Sequence, residues 1–102
     1  LAKTDYAENI YWVYGVVLDE TVSLTAREVM ARLGAAQIGS RPFFWGLHEQ
    51  PVFHDLGLLT EVACPVAENL ARRGFYLPSG LALSEAQILT VARTLQAILL
   101  NG

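Results

Sequence analysis

The stretch "IYWVYGVVL", Ile10 to Leu18, most restricts what this chain can become. It is β-branched and aromatic almost throughout, a composition that favours strand over helix. Its apolar character does not alternate, which predicts a strand covered on both faces. Gly15 removes a side chain from the middle of the run, so another group is expected to pack close there. The run is also too short to span a bilayer.

The segments after it carry helix signals. In "SLTAREVMARLGAAQI", Thr25 and Glu28 form a capping box, and Ala26, Val29, Met30 and Leu33 fall on one face. Gly34 is the expected stop. "IGSRPFF" is expected to be extended, because Pro42 keeps Arg41 out of helical angles. From Trp45 to Leu59 there is little period, and Gly46, Pro51 and Gly57 interrupt it. A long structured loop with one helical turn is expected there, and such loops are often functional. "CPVAENLARRG" predicts a short helix with Pro65 at its first position and Gly74 just past its end. "FYLPSG" predicts a short strand and turn. Ser84 and Gln87 box the start of a long helix with an apolar stripe of Ile88, Val91, Ala92, Leu95, Ile98 and Leu99. The order β-α-β-loop-α-β-α places helices on a small sheet.

At 102 residues this is one domain, yet 53% of it is hydrophobic and its mean hydropathy is +0.34. A small domain has too much surface to hide such an excess easily. Either the core is very tight or part of the surface belongs against another domain or subunit, and the second is favoured. The net charge of −3 leaves nothing to hold a phosphate backbone, so nucleic acid is not an expected partner. The basic pair Arg72-Arg73 fits a helix C-terminus. Cys64 is the sole cysteine, so no internal disulfide forms and a reducing, cytoplasmic compartment is expected. No secretory signal is expected either, since no basic segment precedes an apolar one at the start.

The richest chemistry lies in "RPFFWGLHEQPVF", Arg41 to Phe53. His48, Glu49 and His54 invite a metal reading, but a helical zinc pair needs its second His four positions on, where Val52 stands. Pro51 also spoils a helix between them, so no metal site is expected. Ser79 in "LPSGL" lacks the first glycine of a nucleophile elbow. Cys64 could be activated by a helix start, although a semi-buried cap residue is the commoner role. Lys3 is the only lysine. Arg41 offers a fork of donors for phosphate or carboxylate, and His48 can donate to a hydroxyl or phosphate oxygen. Phe43, Phe44 and Trp45 could wall a pocket. Core aromatics flanked by a surface arginine and a satisfied histidine explain the same composition, and on composition alone that reading is favoured.

This run, followed by "CPVAENLARRGFYLPSGLALSEAQI" and preceded by "NIYWVYGVVLD", resembles the C-terminal part of DegT-type sugar aminotransferases. These are fold-type I enzymes that use pyridoxal phosphate. The shared pattern is Arg-Pro-aromatic-aromatic, then His, then Gln-Pro. An Ala-Glu pair, an "RG" helix end and an "LPS" turn before a capped final helix follow in order. The likeness covers nearly the whole chain and is greatest to perosamine-synthase-like members. One departure is "WGLH", where many relatives carry Pro-Met before the His.

The resemblance implies an α+β domain, residues 1–102, with a small, mainly antiparallel sheet of about three strands and about three helices. The Ile10–Leu18 strand would sit mid-sheet. The chain would be the C-terminal part of a longer enzyme that moves an amino group, usually from glutamate, onto a nucleotide-linked keto sugar. The cofactor and its lysine would belong to a large N-terminal domain, Lys3 matches no part of that lysine's motif, and the isolated chain would be inactive and bind no cofactor. His48, then Arg41, would touch the substrate, with Phe43 and Phe44 shaping the pocket in a homodimer. No catalytic residue would lie in this chain. Two other readings stand beside this one: a free-standing ligand- or protein-binding module, and a dehydratase variant of the same family.

Overall fold

A computed structural model describes residues 4–101. Its centre is a three-stranded antiparallel sheet, in the order β1 (Tyr14–Val17), β3 (Gly74–Leu77), β2 (Arg41–Pro42). The strand latest in sequence is therefore the middle one. Tyr14 to Val17 pair with Leu77 to Gly74, and Arg41 and Pro42 pair with Tyr76 and Phe75. Helices α1 (Ala26–Ala35), α3 (Pro65–Arg73) and α4 (Glu85–Leu100) are the three expected. The segment read as a loop holds a 3-10 turn, Leu47–Glu49, and a short helix α2, Pro51–Asp55.

The two faces of the sheet differ sharply. Phe75 points into the core and is fully buried with Val29 and Leu33 of α1. Leu18, Leu24, Ala26 and Ile38 complete the cluster, and Val91, Leu95, Ile98 and Leu99 of α4 pack against it half-buried. Side chains alternate across a strand, so Tyr76 and its paired neighbours Gly15 and Arg41 lie on the opposite face. The functional candidates sit on and beside that face.

Both capping boxes form as expected. Thr25 Oγ1 accepts from the Glu28 N–H and Ser84 Oγ from the Gln87 N–H, and each N3 side chain accepts from its cap's N–H. The end of α1 differs from expectation. Gly34 does not stop the helix; Gln37 does, at φ 61°. The Ile38 N–H donates to the Leu33 carbonyl at 2.9 Å and the Gln37 N–H to that of Gly34 at 2.9 Å. This pair of bonds is the Schellman closure, and the buried Leu33 and Ile38 supply its apolar contact. The buried Ile38 sets the stopping point, which overrides the glycine signal.

The Ile10–Leu18 run also departs from the reading. Only four residues of it form strand, and that strand lies at the sheet's edge instead of in the middle. Tyr11 takes φ 53° and its N–H is drawn to Asn9 Oδ1 at 2.7 Å, which breaks the extended run before β1. Trp12 and Tyr14 are 70% and 61% exposed. In α4, Ile88 is likewise exposed and no residue is fully buried. The Cα radius of gyration is 16.2 Å, against about 13 Å for a compact chain of this length. Much of the apolar content thus lies outside the core.

Candidate functional site

Phe43 is seated by the absence of two side chains. A Cβ on Gly15 would lie 2.9 Å from Phe43 Cζ, and one on Gly74 would overlap the same ring. The ring therefore lies against the backbones of β1 and β3, stacked on Tyr76 at 4.6 Å between centroids and 24° between planes. This is the close approach expected at Gly15. Phe44 tilts against Tyr76 at 5.8 Å and stays 72% exposed. Arg41, opposite Tyr76 in register, is exposed, and neither ion pair among the described residues uses it. Arg41, Phe43 and Phe44 thus gather around Tyr76, a residue that the sequence reading did not single out.

His48 is held elsewhere, by α3. It is 8% exposed, and its Nε2 lies 3.1 Å from Glu68 Oε1. The same oxygen accepts the Cys64 N–H at 2.9 Å, satisfying a free donor at the helix start. Cys64 therefore serves as the cap residue, through its backbone. The Cys64 N–H first, then His48, hold the Glu68 carboxyl below the usual range, because both stabilise its charged form. The carbonyl of His48 lies 2.7 Å from His54 Nε2. Gly46 packs on the imidazole so closely that a Cβ there would sit 2.6 Å from its Cε1 and Nδ1. The Gly46 departure and the His48 orientation are therefore one feature.

A second tie runs from the same helix. Arg72 meets both carboxylate oxygens of Glu49, donates to the Glu68 carbonyl at 3.2 Å, and lies 5.2 Å above the Trp45 ring. Hydrogen bonding to Glu49 raises its guanidinium pKa further. Arg73 turns the other way, with Nε 2.9 Å from the Leu18 carbonyl and Nη2 3.1 Å from that of Val22. The basic pair is thus two latches from one helix end. The sequence signal for the first was the i, i+4 spacing of Glu68 and Arg72, which puts them on one helical face. His48, Glu49 and His54, the trio tested for metal, each turn to a different partner.

This arrangement offers donors, an aromatic face and a fixed imidazole. Among the described residues it pairs no nucleophile with a base. Residues 2–96 match the DegT/DnrJ/EryC1/StrS aminotransferase family.

The chain belongs to that family.

GDP-perosamine synthase of Vibrio cholerae is 32% identical over 78 residues, 76% of this chain and 21% of the relative. GDP-perosamine synthase of Caulobacter vibrioides is 33% identical over 91 residues, 89% of this chain and 24% of the relative. The chain thus spans about a fifth to a quarter of the length of these curated relatives. Members of the family generally depend on pyridoxal phosphate. The described residues do not fit that group, because they contain no lysine to carry it; Lys3 lies outside them. No step is therefore assigned to the cofactor within this chain. No helix of the described residues is long and apolar enough to cross a membrane.

Proposed function

We propose that this chain is the C-terminal small domain of a cytoplasmic, pyridoxal-phosphate-dependent nucleotide-sugar aminotransferase. It walls the pocket where a keto sugar nucleotide receives an amino group, with glutamate as donor. The family match over residues 2–96 carries the reading, and two relatives named for GDP-perosamine make that compound the first ligand to try. The cofactor and its lysine belong to a large N-terminal domain, and the working unit is a homodimer. The exposed apolar residues of β1 and α4 and the large radius of gyration support a partner surface of that kind.

Within the wall, Arg41 presents its guanidinium fork to the anionic part of the substrate. Phe43 and Phe44, braced on Tyr76, form a flat apolar side, and His48 contributes a ring nitrogen from its fixed seat. In the full-length protein, Arg41→Ala and His48→Ala should each raise KM for the nucleotide sugar or slow turnover. The cofactor's absorbance should be unchanged. Wild-type kinetics in both variants would remove these residues from the wall, and a full-length protein unable to aminate any nucleotide sugar would sink the function.

A further inference from the structure

The bond between His48 and Glu68 decides which ring nitrogen can serve a ligand. A carboxylate held ionised by the Cys64 N–H has no proton to give and can only accept. The proton shared at 3.1 Å therefore belongs to His48 Nε2. In the neutral ring the other nitrogen, Nδ1, then carries a lone pair. Among the described residues Nδ1 makes no hydrogen bond, yet no sealed side-chain nitrogen or oxygen there lacks a partner, so Nδ1 keeps an opening to solvent. Gly46 packs against that edge without a side chain, and a Cβ at this position would crowd Nδ1 at 2.6 Å. The nearby charges are spoken for: Arg72 engages Glu49, and His54 faces the His48 carbonyl.

We propose that Glu68 is a positioning residue that fixes the His48 proton on Nε2 and presents Nδ1 as an acceptor, matched to a hydroxyl or amino hydrogen of the nucleotide sugar and not to its diphosphate. This rests on the reading of the loop as pocket wall. It changes the role expected of His48 from donor to acceptor. A diphosphate oxygen offers Nδ1 only lone pairs, whereas a sugar hydroxyl or amine offers a proton. Glu68 touches no ligand and acts through the imidazole, as the outer partner of a ligating histidine does in other sites.

The test uses the full-length protein with 15N-labelled histidine, at about pH 8, above the ordinary imidazole range. The wild-type ring should show a protonated Nε2 and a bare Nδ1. Glu68→Gln keeps an oxygen that can accept from both Cys64 N–H and Nε2, so the tautomer should persist. Glu68→Leu removes the acceptor, and the preference should relax. Affinity for GDP-perosamine should fall roughly five- to tenfold in Glu68→Leu, the worth of one hydrogen bond, and hold in Glu68→Gln. Affinity for inorganic pyrophosphate should hold in both. A wild-type ring protonated on Nδ1 overturns the proposal even if Glu68→Leu fails to fold. So does a Glu68→Leu variant with unchanged tautomer or unchanged GDP-perosamine affinity, or one that loses pyrophosphate equally. A wild-type protein that binds no GDP-perosamine counts instead against the pocket reading, while its nitrogen shifts still decide the tautomer.

Discussion

His48 Nε2 and Glu68 Oε1 meet at 3.1 Å although the residues lie 20 positions apart. The contact joins the 3-10 turn after β2 to the first turns of α3. With the Arg72–Glu49 pair it gives the Trp45–Leu59 segment two anchors on one helix. The candidate loop is thereby carried by a rigid element, which is what a binding wall needs.

The Glu68 carboxyl titrates below the usual range when folded, so its contribution to stability has a defined sign. The contribution is fully present above the ordinary glutamate range and is lost as pH falls through the lowered folded value. Wild type and Glu68→Gln of the full-length protein should therefore differ most in urea midpoint near neutrality. They should converge as acidification passes below the ordinary carboxylate range and through the lowered folded value. A gap that widens with acid would contradict the assigned hydrogen bonds.

Gly46→Ala should cost about 1–3 kcal/mol in the full-length protein, the usual penalty for forcing a group into an occupied site. The added Cβ meets an imidazole held from its other side by Glu68, so the ring cannot simply step aside. Removing the ring should remove most of the penalty. In a double-mutant cycle by chemical denaturation, Gly46→Ala should be much milder on a His48→Ala background. Additive effects would show that the ring is not the obstacle.

The same logic applies to Phe43 between Gly15 and Gly74. Gly15→Ala places a carbon 2.9 Å from Phe43 Cζ and should cost about 1–3 kcal/mol, again through overpacking. Phe43→Leu shortens the side chain and should recover part of that loss, giving a coupling energy of opposite sign to the single effects. Near-ultraviolet circular dichroism should report the ring's displacement from Tyr76 in Gly15→Ala alone.

Arg72→Lys retains the charge and loses the fork that meets both Glu49 oxygens, along with the planar stack over Trp45. Arg72 is exposed and Glu49 half-buried, so global stability should move little. The local change should be visible: limited proteolysis within residues 45–59 should accelerate in Arg72→Lys, and in wild type at high salt. Identical cleavage rates would mean that the Glu68–His48 contact alone holds the segment.

Local features of the sequence carried most of the elements. The two capping boxes, Pro65 at a helix start and the apolar face of α1 all act within a turn or two, and the structure keeps them. The α4 stripe is kept in part: Val91, Leu95, Ile98 and Leu99 pack half-buried, while Ile88 and Ala92 stay exposed. Gly15 announced a close approach without naming Phe43, because the partner comes from the loop just after β2, distant in sequence. The Ile10–Leu18 run misled because composition reports what a segment can do, while the sheet order gave the central place to Gly74–Leu77. Within the candidate site, Arg41, Phe43, Phe44 and His48 were candidates by residue type, and the family resemblance tipped them toward the pocket. Glu68, Tyr76 and the bridging role of Arg72 did not, since each acts through a partner distant in sequence.

The end of α1 gives a last expectation, in which two opposing terms can be weighed. Gln37 sits at φ 61°, a region that costs an L-residue roughly 1–2 kcal/mol relative to glycine. Gln37→Gly relieves that cost but frees the unfolded chain, which takes back about 0.4–1 kcal/mol. The net should be a gain of up to about 1.5 kcal/mol, since the strain term is the larger. Gln37→Val should move the other way, because a β-branched side chain tolerates this region worst. Both depend on the Ile38–Leu33 and Gln37–Gly34 bonds staying closed, and amide exchange at Ile38 reports that directly. Equal stability of the glycine and valine variants would mean that the closure is absent in solution and that α1 ends at Gly34 after all.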